Sequence, residues 1–165
     1  MERLPQLQLS VSATTRAPRP GEQNGTDYWF LSDADFDERV ASGDFVEHAT
    51  YSGRRYGTLR SELARRTDAG VPVLLEIELQ GARQVRASMP EAVQIFIEPP
   101  SLDALQARLV GRGTDDPEQI AGRLRTATSE LAAKDEFAHV VCNDRLEDAV
   151  AALEEIVRGE LSSNA

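Results

Sequence analysis

The loop that follows the first predicted strand carries the residues best suited to bind a phosphate group. Within Ser10–Phe30 (SVSATTRAPRPGEQNGTDYWF), the hydroxyls of Thr14 and Thr15 are followed by Arg16 and Arg19. An arginine guanidinium binds phosphate through a planar, bidentate fork, and the prolines of the loop limit its conformations. The pattern therefore predicts a site for a phosphate monoester. The alternative is a surface loop with solvated arginines.

Two carboxylates indicate a second site. Glu76 and Glu78 lie near the carboxyl end of a predicted strand, Val71–Leu79, whose apolar start is typical of a buried parallel strand. Alternate residues of a strand point to the same face, and open α/β sheets bind ligands at the carboxyl ends of their strands. We expect the pair to accept hydrogen bonds from a base or to organise waters around Mg²⁺. The alternative is that both side chains face solvent from an edge strand.

A third group of residues is positively charged. Arg108 and Arg112 are four residues apart and share one face of a predicted helix, and a new helix bearing Arg123 begins at Asp115-Asp116-Pro117. Phosphoryl transfer requires positive charge around the transferred group and exclusion of water, which a mobile arginine-bearing lid supplies. The alternative for each arginine is an ion pair with a neighbouring acid within its helix.

Alternating strand and helix signals predict the scaffold. Ser32 and Gly43 bracket a short helix at 33–41, and a hairpin is predicted at 51–58. Further strands are predicted at 7–12, 45–49, 71–79, 93–97 and 139–142. Further helices are predicted from Thr58 for about a dozen residues, at 80–88, from Ser101, from Pro117 to about Lys134, and at about 146–161. This alternation favours an α/β fold with a parallel sheet and a small antiparallel lobe.

Composition narrows the class of protein. The 165 residues suffice for one domain with a real core, and the net charge of −10 argues against non-specific binding to nucleic acid or anionic membranes. No apolar run reaches membrane-spanning length. The single Cys142 favours a cytoplasmic protein, and we expect it to be an inert, buried thiol. His48 and His139 show no metal-ligand spacing, so no protein-held metal is predicted, and the sequence leaves the oligomeric state open.

Taken in order, these motifs resemble guanylate kinases. The Ser10–Phe30 segment is similar to the start of the family's nucleoside-monophosphate site. Later segments follow in the family's order: FVEHATYSGRRYGT (45–58), LLEIELQGARQV (74–85), FIEPPSLDALQARLVGRGTDD (96–116), IAGRLRTATSEL (120–131) and VVCND (140–144). The resemblance implies a single domain over 1–165 with a P-loop-kinase-like parallel sheet and flanking helices. It also implies a small antiparallel lobe (about 13–60) that binds the monophosphate, and an arginine-bearing lid (about 110–126).

The resemblance also implies roles for individual residues. Guanine would be recognised by Ser12, Glu47 and Thr58. The acceptor phosphate would be held by Arg16, Arg19, Tyr28 and Tyr56. Charge during transfer would be stabilised by Arg108, Arg112 and Arg123. Magnesium and the acceptor would be organised by Glu76 and Glu78, and the family usually has aspartate at the position of Glu76. Asn143 would contact the adenine of the donor.

One family feature does not occur in these 165 residues. Guanylate kinases carry a G-x-x-x-x-G-K-[ST] loop that cradles the donor phosphates, whereas the only lysine here, Lys134, follows no glycine-rich loop. The first strand of the family and this P-loop are therefore absent. Met1–Leu4 is similar to the tail of the helix that follows that loop in the family. We expect an N-terminal truncation, with the loop encoded in frame upstream.

The implied activity is transfer of the γ-phosphate of ATP to GMP, with Mg²⁺ held largely through phosphates and water. The alternative is a non-catalytic guanylate-kinase-like module that binds GMP or a phosphorylated partner. For the 165-residue chain itself we expect weak GMP binding and negligible turnover, both restored by the upstream segment.

Overall fold

The computed structural model describes residues 3–51, 53–113 and 116–163, so the predicted helix start at Asp115 and Ser52 of the predicted hairpin lie outside the described residues. The chain forms two compact units, Met1–Ala92 and Val93–Ala165. Each unit contains one two-stranded parallel sheet.

The parallel pair of the first unit is much shorter than predicted. Strand β1 (Gln8–Leu9) pairs with β6 (Val73–Leu74). Backbone hydrogen bonds from Gln8 to Pro72 and from Ser10 to Leu74, both 3.0 Å, complete this ladder. The predictions of strands over 7–12 and 71–79 were wrong in extent, because the chain beyond Leu74 leaves the ladder and turns into helix α3 (Leu79–Ser88).

A four-stranded sheet forms the rest of the first unit, with strand order β3-β2-β5-β4. Its strands are β2 (Ala13–Thr14), β3 (Trp29–Phe30), β4 (Phe45–Tyr51) and β5 (Arg54–Leu59). The predicted hairpin is confirmed, since β4 and β5 pair antiparallel around Gly53, which has a φ of 72°. A small core of Ala13, Phe36, Phe45 and Leu59 covers one face of this sheet.

Two helices flank this sheet. Helix α1 (Asp33–Ser42) begins with a capping box between Ser32 and Asp35 and ends at Gly43 in the left-handed conformation, as predicted. Phe36 is fully buried and stacks on Phe45 at 4.5 Å between ring centroids. Helix α2 (Arg60–Thr67) follows β5 directly.

The second unit pairs β7 (Ile95–Glu98) with β8 (His139–Cys142) in parallel. Its helices are α4 (Leu102–Arg112), α5 (Pro117–Leu131) and α6 (Leu146–Ser163), with a 3₁₀ turn at Lys134–Glu136. Ser101 caps α4 and Asp116 caps α5. The prediction that Cys142 is buried was wrong: successive strand residues alternate in direction, so Val141 is buried while Cys142 is exposed. None of the helices described is long and apolar enough to cross a membrane.

Candidate acceptor site and the family of the chain

A buried carboxylate and a buried hydroxyl face each other across the β4–β5 ladder. Glu47 is directly opposite Thr58, after an irregularity in register between Phe45 and Glu47. The Thr58 hydroxyl donates a hydrogen bond of 2.7 Å to Oε1 of Glu47. Only 4% of Glu47 and 1% of Thr58 is exposed. The two residues predicted to read guanine are thus held together inside the first unit.

Burial dominates the electrostatics of this carboxylate. Desolvation raises the pKa of Glu47, while the hydrogen bonds from Thr58 work in the opposite direction and the nearby charge of Glu78 adds to the increase. A buried carboxylate that retains acceptor capacity favours a ligand that brings N–H donors to it. Such a ligand would supply the hydrogen bonds that water cannot provide at this position.

Ser12 lies at the same end of the sheet. Strand β2 pairs antiparallel with β5, with Ala13 opposite Gly57 and Thr14 opposite Tyr56, so the register continues toward Ser12 opposite Thr58. The carbonyl of Ser12 accepts a hydrogen bond of 2.9 Å from the amide of Trp29, which attaches the third strand. Ser12 thus directly precedes the β2 residue that pairs with Gly57, the neighbour of Thr58 in β5.

Two of the predicted phosphate-binding residues, Tyr28 and Tyr56, lie close to the guanidinium of Arg16. It lies 5.1 Å from the ring centroid of Tyr28, which is 6.3 Å from the ring of Tyr56. Glu22 holds the guanidinium through two hydrogen bonds of 2.8 and 3.0 Å, and this contact is the largest cause of the raised pKa of Arg16. Tyr56 contributes to the same increase. The guanidinium of Arg16 is therefore a fixed cation beside the rings of Tyr28 and Tyr56.

Glu22 also organises the loop that leads to Arg19. Its Oε2 accepts a hydrogen bond of 2.6 Å from the backbone amide of Arg19, and these contacts lower the pKa of Glu22. The side chain of Arg19 is exposed. One carboxylate therefore positions both the guanidinium of Arg16 and the backbone of Arg19, a role for Glu22 that was not predicted from the sequence. The sequence feature that could have predicted this ion pair is the position of Glu22, six residues after Arg16 in the same loop.

The prediction that Glu76 and Glu78 project from one face of a strand was wrong. Strand β6 ends at Leu74, and Glu78 is the N-cap of α3, where its Oε1 accepts a hydrogen bond of 2.7 Å from the amide of Gly81. Glu76 is exposed in the connection between them. The acids still follow the carboxyl end of a parallel strand, but the helix start, not strand alternation, orients Glu78.

The remaining predicted site residues lie in the second unit. Arg108 donates hydrogen bonds of 2.8 and 3.0 Å to the carbonyls of Asn143 and Asp144, just after β8. Arg112 is the last residue of α4, followed by Gly113 in the left-handed conformation, and Arg123 lies within α5. Arg108 and Asn143 are therefore brought together, a contact that sequence spacing did not predict.

The acidic residues fit Mg²⁺ only in a supporting role. Carboxylate oxygens are the donors that Mg²⁺ prefers, and Mg²⁺ commonly keeps several waters and binds through substrate phosphates. Within the described ranges, no group of three or more His, Cys, Asp or Glu residues is arranged to hold a metal ion. One oxygen of Glu78 already caps a helix, which leaves Glu76 and Glu78 suited to contact an ion through water or nucleotide.

The fold is that of an α/β protein whose four-stranded sheet carries the buried Glu47–Thr58 pair, and comparison with known proteins specifies the family. The guanylate kinase family model matches residues 2–160. The guanylate kinase of Streptomyces coelicolor is 54% identical over 149 residues, covering 90% of this chain and 76% of the relative. That of Frankia casuarinae is 52% identical over 158 residues, covering 96% and 86%.

Comparison with a solved structure supports the same family. The guanylate kinase of Anaplasma phagocytophilum superposes with a TM-score of 0.80 at 34% identity, covering 96% of this chain and 78% of that one. The chain belongs to the guanylate kinase family. The predicted family and its α/β fold class are confirmed.

Proposed function

We propose that the protein transfers the γ-phosphate of ATP to GMP, giving GDP and ADP. The observation that carries the proposal is the buried Glu47–Thr58 pair, which lies in the same unit as the Arg16 guanidinium in a chain of the guanylate kinase family. A buried hydrogen-bond acceptor and a phosphate-binding cation in one unit are what a purine monophosphate requires.

Glu47 would select the base. Guanine presents N1–H and an exocyclic amine as two neighbouring donors, and one ionised carboxylate accepts from both. Adenine offers an acceptor at N1, so it would leave the buried carboxylate without these partners. Leaving a buried polar group unpaired is the strongest form of discrimination that hydrogen bonding provides. The hydrogen bond from Thr58 orients the Glu47 carboxylate, and Ser12, which directly precedes β2, would contact the base.

Arg16 would neutralise the acceptor phosphate beside Tyr28 and Tyr56, and the exposed Arg19 of the same loop would add a second positive charge. An oxygen of that phosphate forms a bond to the γ-phosphorus of ATP, and the bond from that phosphorus to the β–γ bridging oxygen breaks. Positive charge at the acceptor reduces the repulsion between two anions that must approach within bonding distance. The protein therefore acts mainly by position and charge.

Arg108, Arg112 and Arg123 would stabilise charge on the transferred group, and Asn143 would contact the donor's adenine. The hydrogen bonds from Arg108 to the carbonyls of Asn143 and Asp144 support a shared role for the two regions in the donor site. When bound, Mg²⁺ supplies charge neutralisation at the donor phosphates, and Glu76 and Glu78 would hold its waters.

A coupled ADP-release assay tests this proposal. We expect the protein to release ADP with GMP and Mg·ATP roughly 100-fold or more faster than with AMP, because only guanine pairs with the Glu47 carboxylate. The matched control is the same protein without acceptor. Binding of GMP without ADP release would refute catalysis and favour a non-catalytic GMP-binding module. Equal rates with AMP would refute the assignment of the base.

A further inference from the structure

The first turn of α3 touches the carboxylate of Glu47. A Cβ added to Gly81 would lie 3.1 Å from Cδ of Glu47 and closer still to Oε2, and 3.4 Å from Cβ of Ile77. The helix backbone at Gly81 therefore approaches the Glu47 side chain as closely as a residue without a side chain allows. The two oxygens of Glu47 are thus confined by different elements: Oε1 by Thr58 on β5 and Oε2 by Gly81 on α3.

The same helix is fastened to the strand that carries Glu47. The amide of His48 donates a hydrogen bond of 3.1 Å to Oε1 of Gln84, and Nε2 of Gln84 donates one of 2.7 Å to the carbonyl of His48. This side-chain amide pairs with the backbone as a neighbouring strand would. Because His48 follows Glu47 directly, the clamp fixes the distance between α3 and the Glu47 backbone.

The start of α3 is itself fixed by Glu78. Its side chain accepts a hydrogen bond of 2.7 Å from the amide of Gly81, the residue whose Cα faces Glu47. The charge of Glu78 also contributes to the raised pKa of Glu47, which is evidence of their proximity. Three contacts, from Glu78, Gly81 and Gln84, thus define where the helix meets the carboxylate.

We infer that the amino-terminal turns of α3 position the Glu47 carboxylate for guanine, and that Gly81 and Gln84 are positioning residues for base selectivity. The inference rests on the proposed function, because it concerns the same acceptor pocket. Gly81 acts by leaving room for Oε2, and Gln84 acts by holding the strand at a set distance from the helix. Neither residue is assigned a contact with the nucleotide.

The decisive variant is Gly81→Ala. The atom nearest to the new methyl group is the end of the Glu47 side chain, which can rotate, so the carboxylate should move while the backbone stays in place. Alanine also favours a helix more than glycine does, which offsets part of the cost of moving the carboxylate, so the variant should remain folded. Gly159→Ala is the matched control, because it lies in α6 and its Cβ meets nothing within 4 Å.

The readout is kcat/KM for GMP and for inosine monophosphate, which retains N1–H but lacks the exocyclic amine. Loss of one charge-assisted hydrogen bond corresponds to roughly 10–100-fold. We expect Gly81→Ala to lower the GMP-to-inosine-monophosphate ratio of kcat/KM by about that factor without changing the KM for ATP. Gln84→Met, which is similar in length but cannot pair with His48, should lower the ratio in the same direction. Gly159→Ala should leave it unchanged.

Failure of the inference and failure of the proposed function are distinguishable. A parent protein that does not phosphorylate GMP refutes the proposed function. A parent that does, with a Gly81→Ala variant that keeps the parental ratio, overturns the inference alone. A Gly81→Ala variant that fails to fold also overturns it, because the inference requires that only the carboxylate moves.

Discussion

The substitution Glu47→Gln tests both the proposed recognition of guanine and the cost in stability of burying a charged side chain. In the proposed complex, the carboxylate accepts from two guanine donors, whereas a glutamine accepts one and directs its amide donor at the other. The change removes a charge-assisted hydrogen bond, ~1.5–3 kcal/mol, and leaves a buried donor unpaired, ~1–3 kcal/mol. We expect a loss of ~3–5 kcal/mol, or roughly 10²–10⁴-fold in kcat/KM for GMP. Catalysis with AMP should be unchanged or better, since the amide can donate to adenine N1.

The same substitution should stabilise the free protein at neutral pH. Because burial raises the pKa of Glu47, its ionised form weakens the folded state at pH values above the pKa of an unfolded glutamate, about 4.3. Replacing the charge removes this penalty while Thr58 can still donate to the amide oxygen. We expect a higher melting temperature than the parent at pH 7. The difference should shrink as the pH falls toward about 4.3 and disappear below it, where the carboxylate of the unfolded parent also becomes protonated.

Glu62→Gln is the matched control, because Glu62 is equally buried at 4% exposure but lies in an ion-paired setting. Arg65 and Arg66 donate to its carboxylate, as does the amide of Val11. Loss of this charge should lower the stability by ~2–3 kcal/mol and leave base selectivity intact. The reasoning fails if Glu47→Gln melts below the parent at pH 7, or if it still rejects AMP as strongly as the parent does.

Two further substitutions test the acceptor lobe. Arg16→Ala should weaken GMP binding by ~2–4 kcal/mol, measured as a higher KM for GMP, because the phosphate loses a bidentate cation. The control Arg39→Ala removes only a surface ion pair with Asp44 and should leave the KM for GMP unchanged. An unchanged KM in Arg16→Ala would place the phosphate elsewhere. Arg55→Ala should destabilise the protein by about 1 kcal/mol in urea unfolding, because Arg55 pairs with α1 and lies 4.6 Å from the ring of Phe36. Equal unfolding midpoints would contradict this role.

Local signals in the sequence predicted the elements that are defined by local chemistry. Ser32 and Gly43 gave α1 within one residue because a capping box and a left-handed glycine act over a few residues. Strand length was less predictable. The apolar run after Val71 gave no indication that pairing with β1 ends at Leu74 and that Glu78 begins a helix. An acid two residues after another is equally compatible with a strand face and with a helix cap.

Residues that depend on contacts distant in the chain were the hardest to predict. Gln84 pairs with His48, 36 residues away, and nothing in either segment distinguishes that glutamine from an exposed one. Gly81 was equally hard to predict from the sequence, because its role depends on the carboxylate of Glu47 on another element. The resemblance of ordered motifs identified Glu47 and Thr58, but their hydrogen bond and burial come from strand register, which only the folded chain specifies.

Strand β4 lies at the end of the four-stranded sheet, so one row of its backbone groups has no neighbouring strand to pair with. Gln84 occupies a donor and an acceptor of that row at His48, so a single side chain blocks the place where an intruding peptide would need to register. Helix α3 therefore closes the edge of the sheet at the same place where it meets Glu47.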